Sequence, residues 1–415
     1  MQVRLDPSLQ DLPAARAAAD IIGQCVHCGF CLPACATYQQ LGDELDGPRG
    51  RIYLIKQLLE GQAGGEITRV HLDRCLGCRA CESACPSGVR YGALLETGHA
   101  LLEARSPRPA QRRLVRWLLR RWLTGPWFAV SVIVARRVRP LLPAALGRRL
   151  GQGNAVSWND RAARPAAAPM RRVLLLAGCV QPALRPGIDA AATRLLAAVG
   201  IGIQVVPQAG CCGAIDQHLD APARALDRAR RNIDAWWPQL QAGAEALLVT
   251  ASGCGAQVAD YGRLLRGDAI YATRAAQVSA RCRDLSQLLA GEVAALRRQL
   301  APASDERVVF QSPCTLQNGL RLGGSVETLL GQLGATLLPV PDGALCCGSA
   351  GSYSLLHPEL SAAMRQRKIA ALLGGQPGRI LSANIGCIAH LAAESPVIVQ
   401  HWAEWLAERL PADGR

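Results

Sequence analysis

Four cysteines fall within eleven positions near the start of the chain, in the stretch CVHCGFCLPAC. They are separated by two, two and three residues: Cys25, Cys28, Cys31 and Cys35. Cysteines this close together in a tight loop rarely reach the geometry of a disulfide. Zinc sites usually take their ligands as two separated pairs, whereas three closely spaced thiolates are typical of one corner of an iron–sulfur cube. The spacing therefore favours a metal centre, and this run alone leaves zinc open.

A second run, CLGCRACESACP, repeats the same spacing: Cys75, Cys78, Cys81 and Cys85, followed by Pro86. The pair of runs resembles the two-cluster ferredoxins of bacteria, in which the fourth cysteine of each run ligates the other cluster. The first run departs from that pattern, since Ala36 stands where proline usually follows. The resemblance implies two [4Fe–4S] clusters, with paired zinc sites as the alternative. One would be held by Cys25, Cys28, Cys31 and Cys85, and the other by Cys75, Cys78, Cys81 and Cys35.

The length and cysteine content predict several domains in a reducing compartment. A chain of 415 residues is long enough for two or three domains. Its 17 cysteines fall in ligand-like groups rather than in the framework of a small secreted protein. The first twenty residues contain no apolar core typical of a signal peptide. We therefore expect a cytoplasmic protein.

The net charge of +14 belongs mainly to one segment. Residues 105–150 contain twelve arginines and no acidic residue, so the rest of the chain is nearly neutral. A nucleic-acid groove would need basic and aromatic residues distributed over a binding face. This distribution argues against nucleic acid as a partner.

Residues 111–139 have the composition of a helix at a membrane surface. In QRRLVRWLLRRWL, the residues Arg112, Arg116 and Arg120 share one helical stripe, away from the leucine and tryptophan side chains. The following GPWFAVSVIVA is apolar for about ten residues, whereas about 20 are needed to span a bilayer. A basic helix with tryptophan and leucine is typical of an interfacial helix. A helix that docks on a partner protein, and a packed interdomain helix, are the alternatives.

From Met170 onward the chain repeats itself with an offset of 133 to 135 residues. A lone cysteine, an adjacent pair and a last cysteine recur in the same order, which indicates a duplication. The first copy has Cys179, Cys211, Cys212 and Cys254, and the second has Cys314, Cys346, Cys347 and Cys387. Cys282 lies outside the pattern and is interpreted as a structural residue.

Short apolar stretches precede these cysteines and alternate with helical segments, as in RRVLLLAGC and ALLVTASGC. Ligands of parallel α/β sheets bind at the carboxyl ends of the strands, so each copy is expected to bring its four thiols together at one sheet edge. Adjacent cysteines seldom bridge to each other. We therefore expect at least one further iron–sulfur centre between Cys179 and Cys387, with another metal or redox-active thiols as alternatives.

These patterns predict a multidomain protein, in which an α-helical ferredoxin-like domain with two [4Fe–4S] clusters precedes a duplicated α/β cysteine-rich module. The predicted divisions are 1–105 for the ferredoxin-like domain, 106–169 for the basic linker, 170–300 for the first cysteine-rich domain and 301–415 for the second.

The twin modules with CCG at 211–213 and 346–348 resemble heterodisulfide reductase subunits. The whole arrangement, with GDELDGPRGRIYLIKQ, TASGCG and NIGC, is most similar to the iron–sulfur subunits of glycolate oxidase. That resemblance implies a hetero-oligomer with flavin-binding subunits, which carry FAD and oxidise glycolate to glyoxylate, and D-lactate less well. Electrons would pass through this chain towards quinone, on the cytoplasmic face of the inner membrane. Iron–sulfur subunits of anaerobic glycerol-3-phosphate dehydrogenase or lactate dehydrogenase are alternatives.

The chain lacks the features expected of the hydride-transferring subunit. Removing hydride from a 2-hydroxy acid needs a flavin or nicotinamide, and the one GQG, at 151–153, lacks the third glycine and follows no strand. We assign no catalytic residue. A heterodisulfide-reductase-like thiol reductase is a further alternative, although Ala251 and Asn384 stand where those relatives carry an additional cysteine.

Overall fold

The computed structural model describes residues 1–150, 171–302 and 305–411, so the GQG at 151–153 and the end of the predicted linker lie outside the described residues. The chain divides into two compact units. One comprises Met1–Trp117 with Ala344–Arg365, and the other comprises Leu118–Gly343 with Gln366–Arg415. The domain limits given above from the sequence stay predictions.

The first unit is built mainly from short helices. They are α1 (Pro13–Gly23), α2 (Ala36–Leu41), α3 (Pro48–Leu59), α4 (Glu66–Asp73), α5 (Ala80–Ser83) and α6 (Tyr91–Arg105). Proline at the first position favours the starts of α1 and α3, because its missing N–H has no partner there in any case. Helices α3 and α6 pack closely at Gly98, where a Cβ atom would come within 2.7 Å of Ile55. Their apolar faces form one core with α1.

The basic segment forms further helices: α7 (Ala110–Leu123), α8 (Pro126–Arg137) and α9 (Ala144–Arg149). The helices predicted from the apolar periodicity near residues 50–60 and from Tyr91 onward correspond to α3 and α6. In the described part of the chain, no helix combines the length and the apolar character that crossing a bilayer requires.

The first repeat contains a four-stranded parallel sheet in the order β2-β1-β3-β4. Its strands are β1 (Arg171–Leu175), β2 (Ile201–Val205), β3 (Ala246–Val249) and β4 (Cys282–Asp284). The helices are α10 (Gln181–Leu184), α11 (Gly187–Ala197), α12 (Ala214–His218), α13 (Pro222–Gln241), α14 (Ser252–Ala259), α15 (Tyr261–Leu264), α16 (Ala272–Arg281), α17 (Leu285–Ala290) and α18 (Val293–Gln299).

The second repeat has the same topology, with strands in the order β6-β5-β7-β8. The strands are β5 (Arg307–Gln311), β6 (Thr336–Leu338), β7 (Arg379–Ser382) and β8 (Ile398–His401). The helices are α19 (Ser325–Gln332), α20 (Tyr353–Leu356), α21 (Pro358–Leu373), α22 (Ile385–Ala392) and α23 (Trp402–Ala407), with a π-turn at Thr315–Gly319.

The fold class predicted from the sequence is confirmed, with a helical ferredoxin-like part followed by two small parallel sheets. The strands predicted before the cysteines of each copy are β1, β2 and β3 and their counterparts β5, β6 and β7. The fourth strand of each sheet, β4 or β8, was not expected. Strand β3 reads ALLV and is buried throughout, because helices cover both faces of a parallel sheet. The two repeats share one hydrophobic core, which includes Trp402 at 0% exposure.

Candidate metal centres

One set of thiols, here the first thiol group, combines three cysteines of the first run with the last cysteine of the second. Its members line one cavity: Cys25, Cys28, Cys31 and Cys85. Burial raises the pKa of Cys31, and the negative charge of the other three thiolates raises it further, so they lie near it. Cys85 therefore joins the first run in space, although fifty residues separate it from Cys35.

The reciprocal set, here the second thiol group, lines an adjoining cavity: Cys35, Cys75, Cys78 and Cys81. Burial raises the pKa of Cys81 strongly, and the thiolates of Cys78, Cys75 and Cys35 add to that rise. The structure thus brings together the two sets of four that the ferredoxin resemblance implies. That these thiols ligate metal stays a prediction.

The same backbone turn recurs in both runs and explains how their thiols converge. The second residue after the leading cysteine has a positive φ in each run, at His27 (59°) and Gly77 (62°). The fourth residue does so as well, at Gly29 (82°) and Arg79 (57°). Left-handed residues reverse the chain so that backbone N–H groups turn inwards. The N–H of Gly77 accordingly donates to Sγ of Cys75 over 3.4 Å.

An unpaired hydroxyl between the two thiol groups fits a bulky sulfur-rich ligand. Tyr91 borders both cavities, and its hydroxyl is buried without a hydrogen-bond partner among the described residues. A buried polar group without a partner is costly, whereas the sulfides of an iron–sulfur cluster accept hydrogen bonds. Each thiol group combines three cysteines of one run with one cysteine of the other run. This arrangement also matches cubane clusters better than paired zinc sites. The residues present therefore fit two [4Fe–4S] clusters.

In the first repeat, four thiols gather beyond the carboxyl ends of the strands: Cys179 after β1, Cys211 and Cys212 after β2, and Cys254 in α14 after β3. Cys211 accepts hydrogen bonds from Cys179 and Cys212, which lowers its pKa. The pKa values of Cys179 and Cys212 rise because each donates to that thiolate and because both are buried. Cys212 also has a hydrogen bond to Cys254. Four thiols linked in this way form a donor set suited to a metal centre.

The adjacent pair of the first repeat is held by a buried polar network. The amide of Asn232 donates to the carbonyl of Cys211 over 3.1 Å, and the Tyr261 hydroxyl donates to the carbonyl of Cys212 over 2.7 Å. Gly213 follows with φ +93°, and a Cβ atom there would press on the backbone of Ala225. The CCG sequence is therefore needed for the turn as well as for the thiols.

The thiols of the second repeat belong to different compact units. Cys346 and Cys347 belong to the first unit, and Cys314 and Cys387 to the second. The N–H of Gly348 approaches Sγ of Cys346 at 3.5 Å. The four therefore stay a predicted set.

Asn384, which stands in place of an additional cysteine, contacts loops of both repeats. Its Nδ2 lies 3.7 Å from Sγ of Cys387, and its Oδ1 accepts from the N–H of Gly253 over 3.2 Å. The side chain thus supplies a hydrogen-bond donor rather than a ligand at this position.

Cys282 lies buried in β4, and burial raises its pKa to about 12. A buried, protonated thiol agrees with the interpretation of Cys282 as a structural residue.

Two arginines of the stripe on α7, Arg116 and Arg120, face the protein, whereas Arg112 lies on the surface. Arg112 pairs with Glu66, Arg116 with Asp73, and Arg120 donates to the carbonyl of Leu219. The apolar face of α7 is instead exposed to solvent. The exposed fractions of its residues are Leu114 55%, Val115 44%, Trp117 45%, Leu118 51% and Trp122 40%.

Comparisons with known proteins agree with this organisation. The family described as "4Fe-4S dicluster domain" matches residues 21–89, and the "Cysteine-rich domain" family matches residues 173–259 and 308–392. The chain is 48% identical to the glycolate oxidase iron–sulfur subunit of Escherichia coli (strain K12) over 411 residues, 99% of each chain. It is 31% identical to the probable glycolate oxidase iron–sulfur subunit of Bacillus subtilis (strain 168), covering 88% of this chain and 87% of that one. Lactate utilization protein A of Exiguobacterium sp. (strain ATCC BAA-1283 / AT1b) is 23% identical over 58% of this chain and 98% of its own length.

Proposed function

Because the chain belongs to the family of glycolate oxidase iron–sulfur subunits, we propose that it carries electrons from a flavoprotein that oxidises glycolate towards quinone. The crossed thiol groups are the observation that carries this proposal, since they fit two clusters side by side in one domain. Adjoining cavities that share Tyr91 and Cys81 would put the two clusters within short reach for electron transfer.

Oxidation of glycolate to glyoxylate releases two electrons and two protons, and iron–sulfur clusters accept one electron at a time. A flavin on a partner subunit can take up the pair and release the electrons singly. This chain would then bind the clusters, keep water from them and pass single electrons onward. FAD is accordingly assigned to partner subunits.

The cysteine pair of the second repeat is the next step that we propose on this route, because Tyr353 lies near Cys75 and Cys346 within the first unit. Burial raises the pKa of Tyr353, and the thiolates of Cys75 and Cys346 add to the rise. The Tyr353 hydroxyl is buried and has no hydrogen-bond partner among the described residues. This position supports transfer between the second thiol group and the cysteine pair of the second repeat.

Lactate is the second candidate substrate of the complex, because lactate utilization proteins are among the relatives. The matches differ in coverage, however. The relative from Exiguobacterium aligns with 58% of this chain, whereas the glycolate oxidase subunit from E. coli aligns with 99%. Glycolate is therefore the preferred assignment.

The purified chain alone is expected not to oxidise glycolate, because its sequence contains no dinucleotide-binding fingerprint for a group that accepts a hydride. Adding the flavin-bearing subunits is expected to restore glycolate-dependent reduction of a quinone analogue. The measurement is the rate of quinone reduction by the flavoprotein with and without this chain, with D-lactate as the second substrate. A flavin-free preparation of this chain that oxidised glycolate at the rate of the complex would overturn the proposal.

We further propose that the open face of α7 binds the anionic surface of the inner membrane from the cytoplasmic side. Exposed leucine and tryptophan side chains can enter the headgroup boundary. Exposed arginines beside them, such as Arg113 and Arg121, complement anionic lipid at about 1 kcal/mol each. Most of the stripe Arg112, Arg116 and Arg120 is engaged within the protein, so apolar contact should carry more of the binding than charge does.

Replacing Leu114 and Leu118 together with glutamate is expected to reduce binding of the assembled complex to phosphatidylglycerol vesicles about tenfold or more. Each half-exposed leucine that enters lipid contributes about 1 kcal/mol, and the new charges oppose entry. Ile270→Glu is the matched control, since Ile270 is 71% exposed but lies in the first repeat. Cosedimentation measures both. Unchanged binding by the double variant would indicate that the face docks on a partner subunit instead.

A further inference from the structure

A buried guanidinium borders the second thiol group. Arg51 lines the same cavity as Cys35, Cys75, Cys78 and Cys81 and is 1% exposed. Its Nε donates to the carbonyl of His71 over 2.7 Å, and both terminal nitrogens donate to Oγ1 of Thr37 over 3.1 Å. A charged side chain this deeply buried must be compensated by nearby negative charge.

The buried carboxylate beside Arg51 is shared with other groups. Asp46, also 1% exposed, lies 3.4 Å from Arg51 and 2.8 Å from Arg74. Arg51, Arg74 and His71, which approaches at 3.1 Å, thus share the Asp46 carboxylate. A carboxylate oxygen of the exposed Asp43 lies within 4.8 Å of the Asp46 and His71 atoms. Arg51 therefore has no buried carboxylate to itself.

The network also reaches a predicted ligand directly. Oγ1 of Thr37 lies 3.2 Å from Sγ of Cys35. The Thr37 hydroxyl donates to the carbonyl of Asp46 over 2.7 Å and accepts from Arg51, so it holds the guanidinium next to this sulfur. Arg51 therefore acts on the second thiol group through its charge. Hydrogen bonds to the sulfurs and local charge are two of the factors that set the potential of a cluster.

The first thiol group has no matching arrangement among the described residues. Its neighbouring cation is Arg49, whose side chain is 30% exposed and pairs with the half-exposed Glu44. A solvent-screened, paired cation affects a nearby charge much less than a buried one. A buried guanidinium thus lies beside the second thiol group, whereas Arg49 beside the first is partly exposed.

We propose that Arg51 raises the reduction potential of the centre held by the second thiol group, so that this centre accepts electrons from the one held by the first. This inference rests on the proposed function, in which both groups hold clusters. Each transfer oxidises the first centre by one electron and reduces the second by one. The added negative charge is stabilised by the buried guanidinium, and the electron moves to the side on which Tyr353 lies.

The test is a redox titration of the anaerobic holoprotein followed by electron paramagnetic resonance. In Arg51→Gln, the ratio of reduced to oxidised second centre at a fixed potential is expected to fall about tenfold, which for one electron is a shift of about 59 mV. Arg51→Lys, which keeps the charge, is expected to restore most of the wild-type potential. The signal of each centre is assigned by its loss in Cys28→Ser or Cys78→Ser.

Two further variants separate charge from structure. Asp46→Asn removes the opposing carboxylate and is expected to shift the second centre to higher potential, the opposite of Arg51→Gln. Arg49→Gln is the matched control and is expected to leave the second centre unchanged. Opposite shifts in these buried variants cannot come from a general loosening of the site.

The inference is overturned if both centres are present but the second keeps its potential in Arg51→Gln. If that variant fails to fold, an unchanged or lowered potential in Asp46→Asn overturns it. Failure of the proposed function is distinguishable, because wild-type protein would then show no pair of cluster signals at all.

Discussion

Replacing Cys85 with serine is expected to abolish the iron–sulfur centre of the first cysteine run, although Cys85 belongs to the second run. Cys85 lines the cavity of the first thiol group and lies near Cys31. Without its fourth thiolate the cube lacks one of its four protein ligands and is expected not to be retained, so the anaerobic protein should lose about four iron ions per chain. Iron analysis and electron paramagnetic resonance of the reduced protein measure the loss.

The pattern of loss across variants makes this result specific. Cys28→Ser should remove the same signal as Cys85→Ser, and Cys35→Ser should remove the same signal as Cys78→Ser. Cys282→Ser is the control and should remove none, because Cys282 is buried in β4 of the first repeat. If Cys85→Ser and Cys78→Ser removed one and the same signal, each run would hold its own centre and the crossed assignment would be wrong.

The second prediction with a large effect is that the anaerobic protein contains iron beyond the two cubanes. The four thiols of the first repeat share hydrogen bonds and negative charge, and the turn at Gly213 fixes the adjacent pair. Thiolates gathered beyond strand ends form a ready donor set for a metal. Cys212→Ser should lower this additional iron while leaving both cubane signals intact.

Cys282→Ser serves again as the control, since it changes a buried thiol of the same repeat. Iron in wild-type protein that accounts for the two cubanes alone would contradict the prediction. The repeats would then be scaffolds or redox-active thiol sites, and alkylation of the anaerobic protein would report how many of their thiols are free.

The elements that position the thiols were largely predictable from the sequence. Strands β1, β2 and β3 are short apolar runs that end just before cysteines, and the duplicated spacing carries the same prediction to β5, β6 and β7. The crossed grouping followed from the resemblance to ferredoxins. Such features are local or periodic, so they can be recognised without knowing which parts of the chain meet.

The features that were missed depend on tertiary contacts. Strand β4 is three residues long and carries a charged arginine, so no alternating pattern marks it. Arg51 lies in GDELDGPRGRIYLIKQ and has the appearance of a surface residue until the fold buries it against Thr37 and Cys35. For the same reason, the sequence did not show which face of α7 contacts the rest of the protein. Periodicity defines two faces of a helix but not which of them the protein covers.

The most direct test of the two predicted clusters is a joint determination of iron, acid-labile sulfide and zinc in the anaerobically purified chain, with electron paramagnetic resonance after reduction. We expect at least about eight iron ions and eight sulfides per chain, and signals from two neighbouring [4Fe–4S] centres. Stoichiometric zinc without sulfide, and no signal on reduction, would contradict this expectation.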